Sequence, residues 1–288
     1  MTTLEALVSA ARRRLITAGI DAHDTALDAE VLARYALSWD RAQYLSRARD
    51  PLPPTFDQDF DLLIRRRCRR EPVAQIIGRK EFWGLDITVT PDVLIPRPES
   101  ELLIETTLAL LQDRSAPWYL ADVGTGSGCL AVALASELIH ARVTATDLSP
   151  AALSVAKRNA TQHGVVNRVS FHHTRTLNAM PGPYDLIVSN PPYVPKSEMA
   201  SLAPEIKQYE PASALCGGQD GLDPARELIP AARSRLRPGA WLVMEIGTGQ
   251  DTAVSKIVAL EPDLSLVDIG KDLSGTLRAV VIQRTNNS

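Results

Sequence analysis

A glycine-rich turn is the first segment whose residues could do chemistry. It begins at Asp122, reads DVGTGSG, follows an apolar run and opens a helical pattern. Glycines there let the backbone approach a ligand closely, and the following helix N-terminus presents unpaired N–H groups. Asp147 ends the next apolar run, at about the 20-residue spacing of an acidic residue that hydrogen-bonds a ribose. We expect a ribose-bearing ligand at Gly124, Thr125, Gly126, Ser127, Gly128 and Asp147; a tight turn without a ligand is the alternative.

A second turn, Asn190-Pro191-Pro192-Tyr193, ends another apolar run. Its two prolines fix φ and remove two N–H donors, so that the carbonyls of Asn190 and Pro191 can face a substrate. The Asn190 amide offers a donor and an acceptor, and Tyr193 offers a flat surface to a planar group. This combination suits an NH2 group on an sp² carbon, in an amide or an aromatic base. A rigid turn that merely ends a strand is the alternative.

The elements that must position these turns alternate between strand and helix patterns from Pro96 onward. Such alternation predicts an α/β fold with a mostly parallel sheet and helices on both faces. Because ligands bind beyond the carboxyl ends of parallel strands, both turns are expected to face one crevice. No long helix pattern separates the last two strands, which predicts an antiparallel hairpin at one edge. The predicted strands are Tyr119–Val123, Arg142–Asp147, Arg168–His172, Tyr184–Ser189, Ala240–Ile246, Leu264–Ile269 and Leu277–Gln283.

The chain before Pro96 has different patterns. Apolar residues recur at helical spacing through the first 75 residues or so, with Asp24 as the expected cap of the second helix, which indicates a small helical bundle. Leu85, Ile87 and Val89 then alternate with polar residues, which predicts a β-hairpin. We therefore divide the chain into a helical domain (residues 1–75), a hairpin connector (76–95) and a catalytic domain (96–288).

Composition and charge exclude several classes of protein. A formal net charge of −3 over 288 residues argues against binding nucleic acid by charge alone. No apolar run approaches the roughly 20 residues that a membrane-spanning helix needs, and the opening residues lack the pattern of a signal peptide. The three cysteines are widely spaced, and no histidine or cysteine cluster has the spacing of a metal site. We expect a cytoplasmic protein with no bound metal and no membrane association.

The spacing of the glycines distinguishes two classes of ligand. Dinucleotide-binding turns follow G-x-G-x-x-G, whereas this turn is G-x-G-x-G and resembles the first motif of S-adenosylmethionine-dependent methyltransferases. The tetrapeptide at 190–193 resembles the catalytic motif of methyltransferases that act on amide or exocyclic amino nitrogens. Hydride transfer has no use for that tetrapeptide, so a nicotinamide-dependent oxidoreductase and an inactive nucleotide-binding module are less favoured alternatives.

Further motifs distinguish between an amide and a base as substrate. They are Glu71–Gly78 (EPVAQIIG), Leu94–Glu101 (LIPRPESE), Tyr209–Pro211 (YEP), Gly217–Asp223 (GGQDGLD) and Glu245–Gly247 (EIG). In this order they resemble the HemK/PrmC family, the protein-(glutamine-N(5)) methyltransferases of class I peptide chain release factors. The resemblance covers nearly the whole chain. An amino-group methyltransferase acting on DNA or RNA is the alternative, but the net charge argues against it.

The resemblance implies a Rossmann-like S-adenosylmethionine-dependent methyltransferase sheet and roles for both turns. Gly124–Gly128 would hold the methionine and ribose portions of S-adenosyl-L-methionine, Asp147 the ribose, and Asn190 would also border the cofactor. The four residues at 190–193 would hold the amide of the glutamine in the Gly-Gly-Gln loop of a release factor. A class I release factor is therefore the implied partner, and no stable nucleic-acid partner is expected. Because one amide needs only the crevice, we also predict that the helical domain contacts the release factor beyond its loop; a domain that only stabilises the fold is the alternative.

Two basic features allow more than one interpretation. Where the family usually has an acidic residue near the adenine, this chain has Thr174 and Arg175. Arg175 could stack its guanidinium on the adenine or point to solvent, and we include it among the expected cofactor-binding residues. The basic run Arg65–Arg70 fits a solvated helix face, with contact to an acidic partner as the alternative.

Overall fold

The structure, a computed structural model, describes residues 3–175, 177, 180 and 182–285. The chain forms two compact units. The first, called the helical unit, comprises the chain up to Arg79 together with Ala203–Tyr209. The second, called the sheet unit, comprises Lys80–Leu202 and the chain from Glu210 onward. Ala203–Tyr209, called the return segment, thus belongs to the helical unit although it lies far along the chain.

Helices and strands are numbered in the order in which the chain forms them. The α-helices are α1 (Leu4–Thr17), α2 (Ala22–Leu37), α3 (Arg41–Ser46), α4 (Phe56–Cys68), α5 (Val73–Ile77), α6 (Glu101–Leu110), α7 (Cys129–Glu137), α8 (Pro150–Gln162), α9 (Pro204–Tyr209), α10 (Asp223–Arg235) and α11 (Asp251–Ala259). The strands are β1 (Arg79–Phe82), β2 (Leu85–Thr88), β3 (Tyr119–Val123), β4 (Arg142–Asp147), β5 (Val169–His173), β6 (Tyr184–Ser189), β7 (Leu236–Glu245), β8 (Leu264–Lys271) and β9 (Leu277–Arg284). Short 3-10 turns lie at Pro98–Ser100, Val166–Arg168, Met199–Ser201 and Ala212–Ala214.

Helices of the helical unit bury apolar stripes, and several begin at a capping side chain. On α1 the buried stripe recurs at three- and four-residue spacing, as an amphipathic helix requires, through Leu4, Val8, Ala11 and Leu15. Asp40 caps α3 by accepting a hydrogen bond from the backbone N–H of Gln43 at 2.7 Å. Asp21 caps α2 by accepting from the backbone N–H of His23 at 2.8 Å. The prediction of Asp24 as this cap was wrong, because Asp24 already lies in the first turn of the helix.

The basic run at the end of α4 is only partly solvated. Arg67 is buried, and its guanidinium lies 2.7 Å from the carboxylate of Asp28 on α2 and 3.1 Å from that of Glu205 in the return segment. Arg70 also pairs with Glu205, at 2.7 Å. The interpretation of the run as a solvated face was therefore wrong for Arg67, because acidic side chains of the same unit surround it.

The sheet unit contains the β1–β2 hairpin and a seven-stranded sheet of order β5-β4-β3-β6-β7-β9-β8. Neighbours among β3 to β7 are parallel, and β9 is antiparallel to both β7 and β8. One apolar cluster joins the sheet to α6, α7 and α8, and another joins it to α10 and α11. The central strands read as continuous apolar runs because both of their faces are buried. The predicted α/β fold, with its helical bundle, hairpin and antiparallel edge, is confirmed.

The order of the strands reverses in the middle of the sheet. After β3 the chain adds β4 and β5 on one side, and it then places β6 on the other side of β3. Such a reversal opens a crevice at the carboxyl ends of the two central strands, where ligands bind in open α/β sheets. Those strands are β3 and β6, which are in register at Asp122 and Val188. The fold thus indicates a site where β3 and β6 end.

Candidate active site

The glycine turn and the Asn-Pro-Pro-Tyr turn lie at the same edge of the sheet. Gly124 directly follows β3, and Asn190 directly follows β6, the parallel neighbour of β3. The ends of the two strands are also tied to each other, because the hydroxyl of Ser189 donates to the carbonyl of Val123 at 2.7 Å. The fold therefore brings together two segments that are about 60 residues apart in the sequence, as the topology of such sheets requires.

The glycine turn adopts backbone conformations that favour glycine. Gly124, Gly126 and Gly128 have φ angles of +73°, +54° and +81°, in the left-handed region. A Cβ built on Gly124 or Gly126 would meet no atom within 4 Å, so open space borders these two residues. A Cβ on Gly128 would lie 2.9 Å from the Cβ of Ala156. The first two glycines therefore border space that a ligand can enter, and the third lets α7 pack closely against α8.

Thr125 and Ser127, which alternate with these glycines, are both buried. The Thr125 hydroxyl donates to Asp122 at 2.6 Å. The carbonyl of Ser127 accepts from the side-chain amide of Asn159 at 2.8 Å, and Asn159 exchanges two further hydrogen bonds with the backbone of Thr88. Side-chain hydrogen bonds from Thr125 and Asn159 thus hold the turn on its buried side. Because Thr125 and Ser127 are buried, they can reach a ligand mainly through their backbone.

Asp147, at the end of β4, braces the turn from the side. Its Oδ2 accepts a hydrogen bond from the backbone N–H of Gly126 at 2.9 Å, and its Oδ1 accepts from that of Ser149 at 2.8 Å. Each carboxylate oxygen has two acceptor positions, so Asp147 can still accept hydrogen bonds from ribose hydroxyls. The residue therefore positions the glycine turn in addition to the ligand contact that the sequence predicts.

Asp122 is a candidate site residue that the sequence patterns did not single out. Its side chain is completely buried, and its Oδ2 accepts from the Thr125 hydroxyl at 2.6 Å and from the backbone N–H of Ala131 at 3.2 Å. Burial raises the pKa of Asp122 to about 7. Its Oδ1 is buried and has no hydrogen-bond partner among the described residues. A buried carboxylate oxygen without a partner is costly, which makes this oxygen a candidate acceptor for a ligand group. The acidic residue two positions before the first glycine was the available sequence signal.

Asn190 is held by a chain of side-chain hydrogen bonds. Its Nδ2 donates to the hydroxyl of Ser100 at 2.8 Å, and that hydroxyl donates to Oε2 of Glu245 at 2.6 Å. The hydroxyl of Tyr193 donates to the other oxygen of Glu245 at 3.2 Å. Ser100 and Glu245 are each only 2% exposed. Because β6 and β7 are parallel neighbours in register at Ser189 and Met244, the residues that follow them come to the same level.

The buried carboxyl of Glu245 is the charged group of this series of hydrogen bonds, and it affects the pKa of Tyr193. Burial raises the pKa of Glu245, and the hydrogen bonds from Ser100 and Tyr193 together with the positive charge of Arg278 oppose that rise. Burial and the charge of Glu245 also raise the pKa of Tyr193, so its hydroxyl stays protonated and donates. Tyr193 is therefore suited to hold and shape the site, and unsuited to act as a base.

A glycine-rich wall packs against the back of the Asn-Pro-Pro-Tyr turn. A Cβ on Gly217 would lie 2.6 Å from the carbonyl oxygen of Pro192, and one on Gly221 would lie 2.2 Å from that of Tyr193. The side-chain amide of Gln250 donates to the carbonyl of Tyr193 at 3.0 Å. The motif that contains these glycines is therefore explained by close backbone packing, and Gln250 is a supporting residue that no sequence pattern indicated.

Glu210 anchors the segment that leads to Ser100. Its Oε2 accepts from the backbone N–H of Ile95 at 3.1 Å, and its Oε1 lies 2.5 Å from the guanidinium of Arg97. Glu210 is itself buried, so this charge-assisted contact is shielded from water. The segment at 95–97 is thus held in place immediately before the 3-10 turn that carries Ser100.

Arg175 lies apart from these contacts. It follows β5, two strands away from β3 in the sheet. Its guanidinium donates twice to the carboxylate of Glu227 on α10, at 2.6 and 2.9 Å, and its side chain is 56% exposed. Stacking on an adenine would require Arg175 to leave or share this ion pair, and the contact stays a prediction.

Metal ligands and membrane-spanning helices are both absent from the described residues. No group of three or more histidine, cysteine, aspartate or glutamate side chains could hold a metal ion within the part of the chain that the structure describes. No helix in that same part is long and apolar enough to cross a membrane.

Comparisons with known proteins find relatives by sequence and by fold. Residues 6–78 match the PrmC N-terminal domain, and residues 99–207 match the methyltransferase small domain. The release factor glutamine methyltransferase of Cereibacter sphaeroides is 44% identical over 272 residues, which are 94% of this chain and 95% of that protein. The one of Nitratidesulfovibrio vulgaris is 39% identical over 285 residues, 98% of this chain and 95% of that protein. The solved catalytic domain of hMettl16, in complex with MAT2A 3'UTR hairpin 6, shares the fold with a TM-score of 0.59 and 16% identity, covering 75% of this chain and 82% of that chain.

Proposed function

Because this chain belongs to the family of release factor glutamine methyltransferases, we propose that it methylates the side-chain amide nitrogen of the glutamine in the Gly-Gly-Gln loop of class I peptide chain release factors. The methyl donor is S-adenosyl-L-methionine. The observation that carries the proposal is the Asn190 amide at the strand-order reversal, with its nitrogen bound to Ser100. Its oxygen, which no described residue donates to, is then available to a substrate NH2 group.

The residues of the glycine turn suit the methyl donor. The open space beside Gly124 and Gly126 admits the methionine and ribose portions. The unpartnered oxygen of Asp122 accepts from the ammonium of the methionine portion, and Asp147 accepts from the ribose hydroxyls while it braces the turn. When bound, the sulfonium supplies an electrophilic methyl carbon. The other proposed cofactor-binding residues are Thr125, Ser127 and Gly128, which would act through their backbone, and Arg175.

The chain's own residues supply alignment. A glutamine amide nitrogen is a poor nucleophile because its lone pair is delocalised into the carbonyl. The Asn190 oxygen and the Pro191 carbonyl accept the two N–H groups of the amide, which favours a pyramidal nitrogen directed at the methyl carbon, while Pro192 and Tyr193 shape the pocket. Alignment of this kind can contribute up to about 7–11 kcal/mol, and fixed carbonyl dipoles stabilise the developing positive charge. With S-adenosyl-L-methionine bound, the amide nitrogen held by Asn190 and Pro191 would take the methyl group from sulfur, S-adenosylhomocysteine would be the leaving group, and one N–H proton would pass from the nitrogen to solvent water.

One labelling experiment tests the proposal. The purified protein is mixed with S-adenosylmethionine labelled in the methyl group together with a class I release factor, ribosomal RNA or DNA. We expect label in the release factor only, at the glutamine of its loop, and no label in a release factor whose loop reads Gly-Gly-Ala. Label found only in nucleic acid would contradict the proposal, in line with the alternative amino-group methyltransferase. Calorimetric binding of NAD without binding of S-adenosylmethionine would contradict it in a different way.

We also propose that the helical domain at residues 1–75 docks the release factor beyond its glutamine loop. A single amide needs only the crevice of the catalytic domain (96–288, after the connector 76–95). The helical unit nevertheless exposes three large apolar side chains, Leu27, Leu45 and Leu62, which are 61%, 68% and 53% exposed. Remote contacts can orient a reacting group. Replacing all three leucines by serine should weaken methylation of intact release factor and leave methylation of a short loop peptide unchanged. Equal losses on both substrates would count against docking.

A further inference from the structure

Asn190, Ser100 and Glu245 are joined by consecutive hydrogen bonds. When Glu245 is ionised, only one assignment of donors and acceptors satisfies this series. A carboxylate accepts hydrogen bonds and cannot donate them. The Ser100 hydroxyl therefore gives its single proton to Glu245, at 2.6 Å, and keeps only lone pairs for Asn190. Asn190 must meet those lone pairs with its NH2 group, at 2.8 Å. The shape of the Asn190 amide does not determine which way it faces. Its orientation is specified by Ser100 and Glu245, two residues that are distant from it in the sequence.

The other oxygen of Glu245 reinforces this direction. It accepts from the hydroxyl of Tyr193 at 3.2 Å, so both oxygens of the carboxylate face hydroxyl donors. Burial of Ser100 and Glu245, each 2% exposed, excludes bulk water as a substitute partner. In such surroundings a group that meets a partner of the wrong kind stays unsatisfied, which makes the alternative orientation of the amide unfavourable.

The donor and acceptor roles in this series of hydrogen bonds decide which group the substrate side chain must offer. With its nitrogen held by Ser100, Asn190 presents an oxygen, which accepts a hydrogen bond from an N–H group. A glutamine side chain has such a group, and a glutamate carboxylate has none. If the amide of Asn190 turned over, it would present NH2 instead, which would oppose the NH2 of glutamine and attract a carboxylate.

We infer that Ser100 and Glu245 are positioning residues that make the site select an amide over a carboxylate by fixing which atom of Asn190 faces the substrate. The inference rests on the proposed function and adds a determinant of specificity to it. Neither residue needs to touch the substrate, because both act through the orientation of Asn190. Glutamate differs from glutamine by one group of almost the same size, so shape alone would separate the two poorly.

Three substitutions separate orientation from mere support. Ser100→Ala removes the hydroxyl that specifies the orientation. Glu245→Gln keeps the size of the side chain but provides an NH2 group that can donate to Ser100. The Ser100 hydroxyl can then donate to the oxygen of Asn190, which reverses every donor and acceptor in the series. Ser100→Thr keeps the hydroxyl and serves as the conservative rescue. Ser154→Ala is the matched control, because Ser154 is an exposed serine of α8 whose hydroxyl bonds only to the carbonyl of Pro150 among the described residues.

The experiment measures kcat and KM on release factor, and inhibition by a release factor whose loop reads Gly-Gly-Glu. For Ser100→Ala and Glu245→Gln we expect kcat to fall by about 10- to 100-fold, the range that one unsatisfied buried hydrogen-bonding group corresponds to. The Gly-Gly-Glu factor should inhibit these two variants at least about tenfold more strongly than it inhibits the wild type. Ser100→Thr should restore most of the lost kcat and the weak inhibition, and Ser154→Ala should behave as the wild type. A purely supporting role would lower kcat and leave the inhibition unchanged.

The outcomes distinguish the inference from the function on which it rests. A wild-type protein that leaves the Gly-Gly-Gln glutamine unmethylated would overturn the proposed function and the inference with it. A wild type that methylates glutamine, together with variants whose inhibition by the Gly-Gly-Glu factor is unchanged, would overturn the inference alone. Thermal unfolding of each variant identifies one that fails to fold, and if Glu245→Gln does so, Ser100→Ala carries the test.

Discussion

The carboxylate of Asp147 accepts a hydrogen bond from the backbone N–H of Gly126 at 2.9 Å, so an acidic side chain at the end of one strand orders the glycine turn at the end of its neighbour. The same carboxylate accepts from the backbone N–H of Ser149 at the start of α8. The proposed ribose contact and the observed structural contacts therefore involve the same side chain. Loss of Asp147 should disturb the cofactor site twice, once directly and once through the turn.

Asp147→Ala should raise the Kd for S-adenosylmethionine by about 10- to 100-fold, because hydrogen bonds to a charged group each contribute about 1.5–3 kcal/mol. At saturating cofactor the rate of methyl transfer should fall much less. Calorimetry and single-turnover rates at high cofactor concentration measure the two quantities. An unchanged Kd would contradict both the proposed ribose contact and the role of Asp147 in ordering the turn for the cofactor.

Asn190→Ala should lower turnover on release factor by about 10²–10³-fold, the typical effect of losing one preorganised electrostatic partner of the reaction. Its melting temperature should stay close to that of the wild type, since the residue follows a strand and lies beside a crevice. Asn159→Ala is the contrasting variant: this amide is buried and bonded to the backbone of Ser127 and Thr88, so its loss should lower the melting temperature clearly. Near-normal turnover of Asn190→Ala would show that the proposed alignment is wrong.

The rate of methylation should fall on the acid side of its pH profile as Glu245 becomes protonated. Burial, with a smaller contribution from Glu99, raises the pKa of this carboxyl above its ordinary value of 4.5, against the hydrogen bonds of Ser100 and Tyr193 and the charge of Arg278. The carboxylate is the form that specifies the orientation of Asn190, so activity is present above the raised pKa and is lost as the pH falls through it. The kcat profile of Glu245→Gln should lack this acid limb, and an identical limb in that variant would assign it to another group.

Asp122 should make the folded protein less stable as the pH rises from about 4 to about 7. Its pKa is raised by burial from 3.8 to about 7 in the folded state, so the folded state binds the proton more tightly than the unfolded state does. This group therefore favours folding most below its unfolded pKa, and the contribution is lost as the pH rises through the folded pKa. In cofactor-free protein, the melting temperature of Asp122→Asn relative to the wild type should rise between pH 4 and pH 7 and then level off. A pH-independent difference would contradict the assignment.

Arg67→Ala should destabilise the helical unit by about 3–5 kcal/mol, the usual cost of removing one partner from a buried ion pair. The side chain of Arg67 is 7% exposed, and it lies between Asp28 and Glu205. Arg65→Ala is the matched control on the same helix, because its pair with Asp61 is largely exposed and should contribute at most about 1 kcal/mol. Urea unfolding followed by circular dichroism compares the two, and equal losses would argue against a buried network.

The sequence predicted the sheet well because its strands are short apolar runs bounded by turns. β3, β4 and β6 occupy the predicted residues. β7 begins at Leu236, four residues before the predicted start at Ala240, because a proline and a glycine at 238 and 239 interrupt the strand pattern in the sequence. The strand itself is irregular there, since Gly239 has a φ of +81° and the pairing with β6 shifts register between Tyr184 and Leu186. Such interruptions are read as turn signals when only local pattern is available.

The candidate site was predictable only in part. The two turns carry their chemistry in consecutive residues, so both could be recognised. The partners of Asn190 could not, since Ser100 and Glu245 are distant in sequence and lie in segments of different pattern. For the same reason the basic run of α4 was interpreted as solvated, although Arg67 meets Glu205 from 138 positions away. Burial of polar residues is decided by tertiary partners, about which local periodicity carries no information.

The ion pair between Arg67 and Glu205 joins residues that are synthesised at different times, so the helical unit cannot complete it until late in translation. The first helices leave the ribosome with Asp28 as the one carboxylate of this pair of partners that Arg67 can meet, because Glu205 is synthesised 138 residues later. At about 5–20 residues per second this interval lasts roughly 7 to 28 seconds. The helical unit therefore passes through a stage in which a charge that will be buried lacks one of its carboxylates. It reaches its final hydrogen bonding only after β3 and β6, and with them both turns of the active site, have been synthesised.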